Sequence, residues 1–398
     1  MKFGVVAFLG SFFILTTIVG CKEEIRIKNP LLDEIETIKT QFAPDKRVAV
    51  FDVEAIGNGD VFLLKGESNL PEAVAALKEK LSAYNVAFVD SIQLLPAAAL
   101  EGKIAGLVTI SVANLRSNPK HSAELATQAT LGTPVKIYKQ EGSWSLIQTP
   151  DLYLSWVDDG GIVSITPAEL NMWKSVPKII FTQITGSAYS EPNIKSQVVS
   201  DLVAGGILEL LDEQNNFYKV KYPDHRIAFV RKAEAEVYSD WLAKTNPSEE
   251  NLVATSKKLM GLPYLWGGTS PKGVDCSGFT KTIYFLNGMI IPRDASQQVR
   301  TGEEIDQNKN FEKLVPGDLL FFGRQATDST TEKVVHVGMW IGNNEFIHSS
   351  GQVKISSIDQ DAPNFDAHNL NRYLRSNRLL NKTTNGLLNL TKTPVFND

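Results

Sequence analysis

A gapless internal repeat is the feature that most restricts how this 398-residue chain can fold. Ser117 and Pro119 recur as Ser190 and Pro192, an offset of 73 residues. At the same offset Gly132 recurs as Gly205, Trp144 as Phe217, Pro150-Asp151 as Pro223-Asp224, and Trp156-Val157 as Phe229-Val230. Leu125, Val135, Ile137 and Ile147 likewise match Val198, Leu208, Leu210 and Val220. Self-similarity at a fixed period marks each copy as one supersecondary unit. Within each copy, runs such as Val135-Lys136-Ile137 and Tyr218-Lys219-Val220 alternate with period two, and turn residues interrupt them every few positions. That is the pattern of small antiparallel barrels. Two such modules are expected over 104–165 and 178–240, with Trp144 and Phe217 as core residues. At roughly 100–200 residues per domain, the remaining length requires further domains on either side.

The N-terminus reads as an export signal. Lys2 supplies a positive charge, and Val5 to Val19 is almost continuously apolar. The run is too short for a comfortable membrane span, so residues 1–20 are expected to be a removed signal peptide. The ending Ile18-Val19-Gly20-Cys21 resembles the lipobox of bacterial lipoproteins, which implies lipidation at Cys21 and a membrane attachment through that lipid. The protein would then sit in the cell envelope on a bacterial membrane, the outer membrane being favoured; the face is left open by Lys22-Glu23-Glu24. With 40 basic and 45 acidic residues the net charge is −5, so no basic footprint for nucleic acid is expected. Cys21 and Cys276 are the two cysteines, too few for a disulfide framework.

Residues 21–103 are expected to form a linker and a small α/β unit. Arg47 to Val53 and Val61 to Leu64 read as strands, Pro71 to about Tyr84 as a helix with Pro at its first turn, and Val86 to Val89 as a third strand. A linker or helix start falls at Thr245-Asn246-Pro247-Ser248. Apolar spacing from Glu249 predicts a helix ending at Gly261. The last domain is expected over 247–380. A tail, 381–398, is rich in Asn and Thr and is expected to be loosely ordered or to lie along the surface.

The chemistry lies in the last domain. Asp275 is a good N-cap, and Phe279, Ile283 and Leu286 follow it at helical spacing. Cys276 would then stand at the first turn of a helix, where free N–H groups and the dipole lower a thiol pKa and make a nucleophile. A base is needed within reach. His336 opens His-Val-Gly-Met-Trp-Ile-Gly342, and His348 sits in Glu345-Phe-Ile-His-Ser-Ser350. Gly342-Asn343-Asn344 between them signals a hairpin turn. A simple two-residue turn would put the histidines on opposite faces; sharing one face requires an odd loop or a bulge. The sequence leaves this open. His121, His225 and His368 lie in polar stretches and are expected to face solvent. No spacing resembles a metal site and no glycine loop a phosphate cradle, so no cofactor is expected.

Four motifs in order resemble the NlpC-type cell-wall cysteine peptidases. They are Pro263-Tyr-Leu-Trp-Gly-Gly268, Asp275-Cys-Ser-Gly-Phe279, Pro316-Gly-Asp-Leu-Leu-Phe-Phe322, and the His336 run with Phe346-Ile-His348. The resemblance covers about residues 250–380. It implies a papain-like α+β domain with Cys276 as nucleophile, His336 as base and His348 orienting it. The oxyanion would be met by the nucleophile's own N–H, helped by Tyr264. The whole arrangement, two SH3-like modules before the peptidase domain, resembles the dipeptidyl-peptidase VI-like γ-D-glutamyl-L-diamino acid endopeptidases. That implies peptidoglycan-derived peptides with a free N-terminal L-Ala as substrate, and an acidic pocket, closed by the first module, for the ammonium. Asp275, Ser277, Trp266 and Ser296 would line this pocket, joined by Glu124 and Tyr153 from the first module. A monomer is favoured. The competing readings are a lytic endopeptidase on intact wall and a wall-binding lipoprotein without activity. The complete Cys-His-His set speaks against the last.

Overall fold

The structure is a computed structural model that describes residues 30–57, 61–384 and 386–397. The signal segment and Cys21 lie outside these residues.

The N-terminal unit is a three-stranded sheet with helices on one face. Phe51–Ile56 pairs antiparallel with Val61–Ser68, which pairs parallel with Ala87–Leu94. The helix Pro71–Ala83 makes the parallel crossover, and Leu77 and Leu81 bury against Leu64. A helix Pro30–Phe42 joins them through Leu31, Ile35 and Ile38. The sequence reading passed over this helix, although its apolar residues stand at i, i+4 and i+7. The first strand also begins later than expected. Val48 and Ala49 donate to the Asp45 carbonyl in a turn, which carries Arg47 outward before the strand starts at Phe51.

The two repeats fold as matching seven-stranded antiparallel barrels. The first spans strands from Ala105–Val108 to Ile162–Ile165, the second from Lys178–Phe181 to Ala235–Val237. The 73-residue offset reproduces the pairing itself. Lys136 faces Gln148 as Glu209 faces Lys221, and a bulge between Ile137 and Lys139 recurs between Leu210 and Asp212. Trp144 and Phe217 are buried in both copies. Between the barrels, Thr166 caps a helix, Pro167–Ser175, through a reciprocal bond with Glu169.

The last domain packs the helices Glu249–Lys258 and Cys276–Leu286 against a six-stranded antiparallel sheet. The sheet order is Glu303–Asp306, Tyr373–Arg378, Leu319–Arg324, Lys333–Gly342, Glu345–Ser350, Gln352–Ser357. One face buries Phe321, Val337, Met339 and Ile347 against Phe279 and Ile283 of the helix. The other buries Leu320, Phe322, Trp340 and Phe346. A sheet covered on both faces holds the side chains at its rim rigidly.

The expectation for the tail is corrected. Leu388–Asn389 pairs with Met289–Ile290, and Leu390 and Phe396 are buried with Tyr238, Trp241 and Phe285. A few apolar residues among the Asn and Thr suffice to fasten it.

Candidate active site

Asp275 starts the helix Cys276–Leu286: its Oδ1 accepts from the Gly278 amide at 2.7 Å. Cys276 is therefore the first helical residue. The helix can sit this close to the preceding loop because residue 278 is glycine; a Cβ there would lie 1.9 Å from the Gly268 carbonyl oxygen. The Val337 amide acts on the sulfur, which places it beside the strand position next to His336. The expectation that the helix start lowers this thiol's pKa is corrected: it is pushed up to about 11. Burial is the largest cause, and the Asp275 charge adds to it; the Val337 and Ser277 amides pull the other way but are outweighed.

The parity left open by the sequence is settled by a bulge. Met339 faces Ile347 and Trp340 faces Phe346, but Gly342 faces Glu345, so Ile341 is the extra residue. Asn343 and Asn344 form the turn with φ of 52° and 61°. The bulge puts His348 opposite Gly338 and so on the face of His336. His336 Nε2 and His348 Nδ1 lie 2.7 Å apart, and His348 Nε2 lies 3.0 Å from Ser356 Oγ. Asp366 Oδ2 is 3.9 Å from His348 Nε2. Burial, with His348 second, pushes His336 down to about 3. Burial also lowers His348 to about 4, against the pull of Asp366. Burial thus disfavours the charged form of the thiol and of both imidazoles. An imidazole whose Nε2 is engaged by a neighbouring ring has Nδ1 left for a thiol proton.

Cys276 opens onto a cleft shared with the first barrel. Its wall includes Tyr264, Trp266, Asp275, Ser277, Asp294 and Ser296, with Glu124 and Tyr153 contributed by the barrel. All the expected pocket residues are thus brought together. Trp266 Nε1 donates to Glu124 Oε1 at 2.5 Å, which joins the two domains across the cleft. Burial, reinforced by Cys276 and Asp275, pushes the Tyr264 hydroxyl up to about 12, so it remains a donor.

Asp275 both lines the cleft and caps the helix. Both of its oxygens are engaged by Arg293, at 3.1 and 2.5 Å, and by the Gly278 and Gly267 amides. Arg293 is itself buried, also reaching Ser277 Oγ at 3.0 Å. The carboxylate carries its charge already paired. The wall acid with more freedom is Asp294, which the sequence reading missed. It is partly exposed and accepts at Oδ2 from Tyr153 Oη at 3.2 Å and from Arg47 Nη1 at 2.7 Å. Its signal was the stretch Pro292-Arg293-Asp294-Ala295-Ser296, from which Ser296 alone was singled out. Among the described residues no group of three or more His, Cys, Asp and Glu is arranged to hold a metal.

The sequence pattern of the NlpC/P60 family matches residues 261–370. A bacterial dipeptidyl-peptidase SH3 domain matches 115–162 and a bacterial SH3 domain 187–235. The chain is 34% identical over 234 residues to the γ-D-glutamyl-L-lysine dipeptidyl-peptidase of Bacillus cereus, covering 57% of this chain and 67% of that one. It is 29% identical to the dipeptidyl-peptidase 6 of Lysinibacillus sphaericus, covering 65% and 93%. A crystal structure of an NlpC/P60 family protein from Bacillus cereus superposes with a TM-score of 0.59 at 27% identity, over 69% of this chain and 99% of that one.

Proposed function

Because this chain belongs to the NlpC/P60 family of cysteine-type peptidases, we propose that it hydrolyses the γ-D-glutamyl–L-diamino acid bond of peptidoglycan peptides that carry a free N-terminal L-Ala. The observation that carries the reading is the cleft itself. A buried thiol in its lining lies beside Val337, the neighbour of His336 on the strand that carries the His336–His348 pair, and Glu124, Tyr153 and Asp294 converge on its wall.

Cys276 Sγ attacks the D-glutamyl side-chain carbonyl while His336 Nδ1 takes the thiol proton. This requires His336 to carry its proton on Nε2. His348 meets that demand if its Nδ1 accepts from His336 and its Nε2–H donates to Ser356 Oγ, the reverse tautomers leaving His336 no lone pair for the thiol. The oxyanion is met by the Cys276 amide and the Tyr264 hydroxyl. Collapse breaks the C–N bond, and His336 returns the proton to the leaving amine. Water, deprotonated by His336, then hydrolyses the thioester and frees the thiol. A substrate ammonium at the far end of the cleft is met by Asp294 and Glu124.

The proposal extends to location. The apolar run ending Ile18-Val19-Gly20-Cys21 supports a signal removed before Cys21 and a lipid on that residue, holding a monomeric enzyme in a bacterial envelope. Cys21→Ser is then expected to leave a full-length precursor and to take up no palmitate label.

The activity is tested by incubating the protein with L-Ala-γ-D-Glu-L-Lys and its diaminopimelate counterpart and identifying products by mass spectrometry. Release of L-Ala-D-Glu supports the reading; an intact peptide, or cleavage between L-Ala and D-Glu, overturns it.

A further inference from the structure

We propose that Arg47, a residue of the N-terminal unit, is a specificity-determining positioning residue: it holds Asp294 and Ser296 where they receive the substrate's free ammonium. The inference rests on the free-amine reading above and gives the N-terminal unit a part in it.

Arg47 is placed by the backbone. Its carbonyl accepts from the Leu154 amide at 2.7 Å, so one contact positions both Arg47 and the neighbouring Tyr153. Arg47 Nη1 donates to Asp294 Oδ2 at 2.7 Å and to Ser296 Oγ at 2.9 Å. The rest of its fork grips Asp45, with Nε on Oδ1 at 2.8 Å and Nη2 on Oδ2 at 2.7 Å. Gln297 closes the ring: its Nε2 donates to Asp45 Oδ2 at 3.0 Å, and its Oε1 accepts the Asp294 amide at 3.2 Å. The N-terminal unit, the first barrel and the peptidase domain thus meet at a single carboxylate.

Two features make this more than a domain contact. Arg47 and Tyr153 both bond Asp294 at Oδ2; Oδ1, with the Arg293 guanidinium 3.9 Å away, is the oxygen that takes a ligand's hydrogen bond. One guanidinium also lies between two carboxylates, Asp45 and Asp294. Without it these would confront each other, and like charges at that range disfavour joint ionisation. Asp294 would turn toward water or take up a proton, and either change withdraws it from an ammonium. The planar fork suits this double duty better than a point charge does.

The test uses the full-length protein with Arg47→Ala and Arg47→Lys, assayed on L-Ala-γ-D-Glu-L-Lys and its N-acetylated form, with thermal unfolding followed in parallel. Arg47→Ala is expected to raise KM for the free-amine peptide by about tenfold or more while kcat changes less than about threefold and kcat/KM for the acetylated peptide is unchanged. Arg47→Lys is expected to recover part of the loss. An unchanged or lower KM, or an equal loss on both peptides, overturns the proposal. If Arg47→Ala unfolds at the assay temperature, Asp45→Asn, which loosens the same fork, is read by the same split. A wild-type enzyme indifferent to acetylation defeats the free-amine reading itself; discrimination that survives in both variants defeats only the part given to Arg47.

Discussion

A penalty on both charged forms is the main consequence of burying Cys276 and His336 together. Desolvation disfavours thiolate and imidazolium alike, which favours transfer of the thiol proton in step with the attack. In a Cys21→Ser protein, alkylation of Cys276 by iodoacetamide is therefore expected to rise with pH beyond the ordinary thiol value of about 8.5. A midpoint near neutrality would show a preformed thiolate. The same burial links stability to pH. His336 and His348 titrate far lower folded than unfolded, so the unfolded chain binds more protons below about 6.5. The stability this confers is complete above that value and is lost as pH falls toward the folded values. Chemical denaturation at pH 7 and pH 5 is expected to show the loss, and His336→Gln to reduce the slope by up to about 1.4 kcal/mol per pH unit. An equal slope in the variant would contradict the assignment. Cys276→Ala should abolish turnover and leave the unfolding midpoint nearly unchanged. His336→Ala should be almost as severe, and His348→Gln milder, since an amide can still fix a tautomer.

Strand register at the element scale decides whether the site exists. The hairpin brings His336 and His348 together because Ile341 bulges; were Ile341 instead paired with Phe346 across the two-residue turn, His348 would lie on the opposite face. Deleting Ile341 removes only the unpaired residue and leaves Trp340 opposite Phe346, so the variant is expected to keep both histidines on one face and to retain activity; loss of turnover with the far-ultraviolet circular dichroism of the sheet intact would refute Ile341 as the extra residue. Much of the element plan was legible in the sequence: the two barrels in the repeat, the helix start at Cys276 in its Asp cap, the hairpin in its paired Asn. The bulge was not, because Ile341 in a strand looks like any other apolar strand residue. Nor was the rise of the Cys276 pKa, which comes from burial and from Asp275, whereas sequence position reports the helix dipole alone. Glycine 278 adds a steric condition. Gly278→Ala is expected to cost about 1–3 kcal/mol by overpacking against the Gly268 carbonyl, and to lower kcat by displacing Cys276.

Across the whole molecule, the cleft is an assembly of parts that are distant along the chain. Arg47 and Asp294 are separated by 247 positions, and Trp266 and Glu124 by 142. Local patterns carry no trace of such pairs, which is why Glu124 and Tyr153 were legible only through a family resemblance and Arg47 not at all. The first barrel is fastened to the peptidase domain by Gln128, whose buried Oε1 accepts from the Thr269 amide at 3.0 Å and from Ser270 Oγ at 2.8 Å. The account's central claim is that this assembled cleft reads a free ammonium at its closed end. Acetylating the amine removes that charge and the ionic hydrogen bonds it would give Asp294 and Glu124, so the effect belongs to the intact molecule. The most direct test is the ratio of kcat/KM for L-Ala-γ-D-Glu-L-Lys to that for its N-acetylated form with the wild-type enzyme. The account predicts a ratio of at least about 100; a ratio within a few-fold of one would contradict it and favour an enzyme that cuts intact wall.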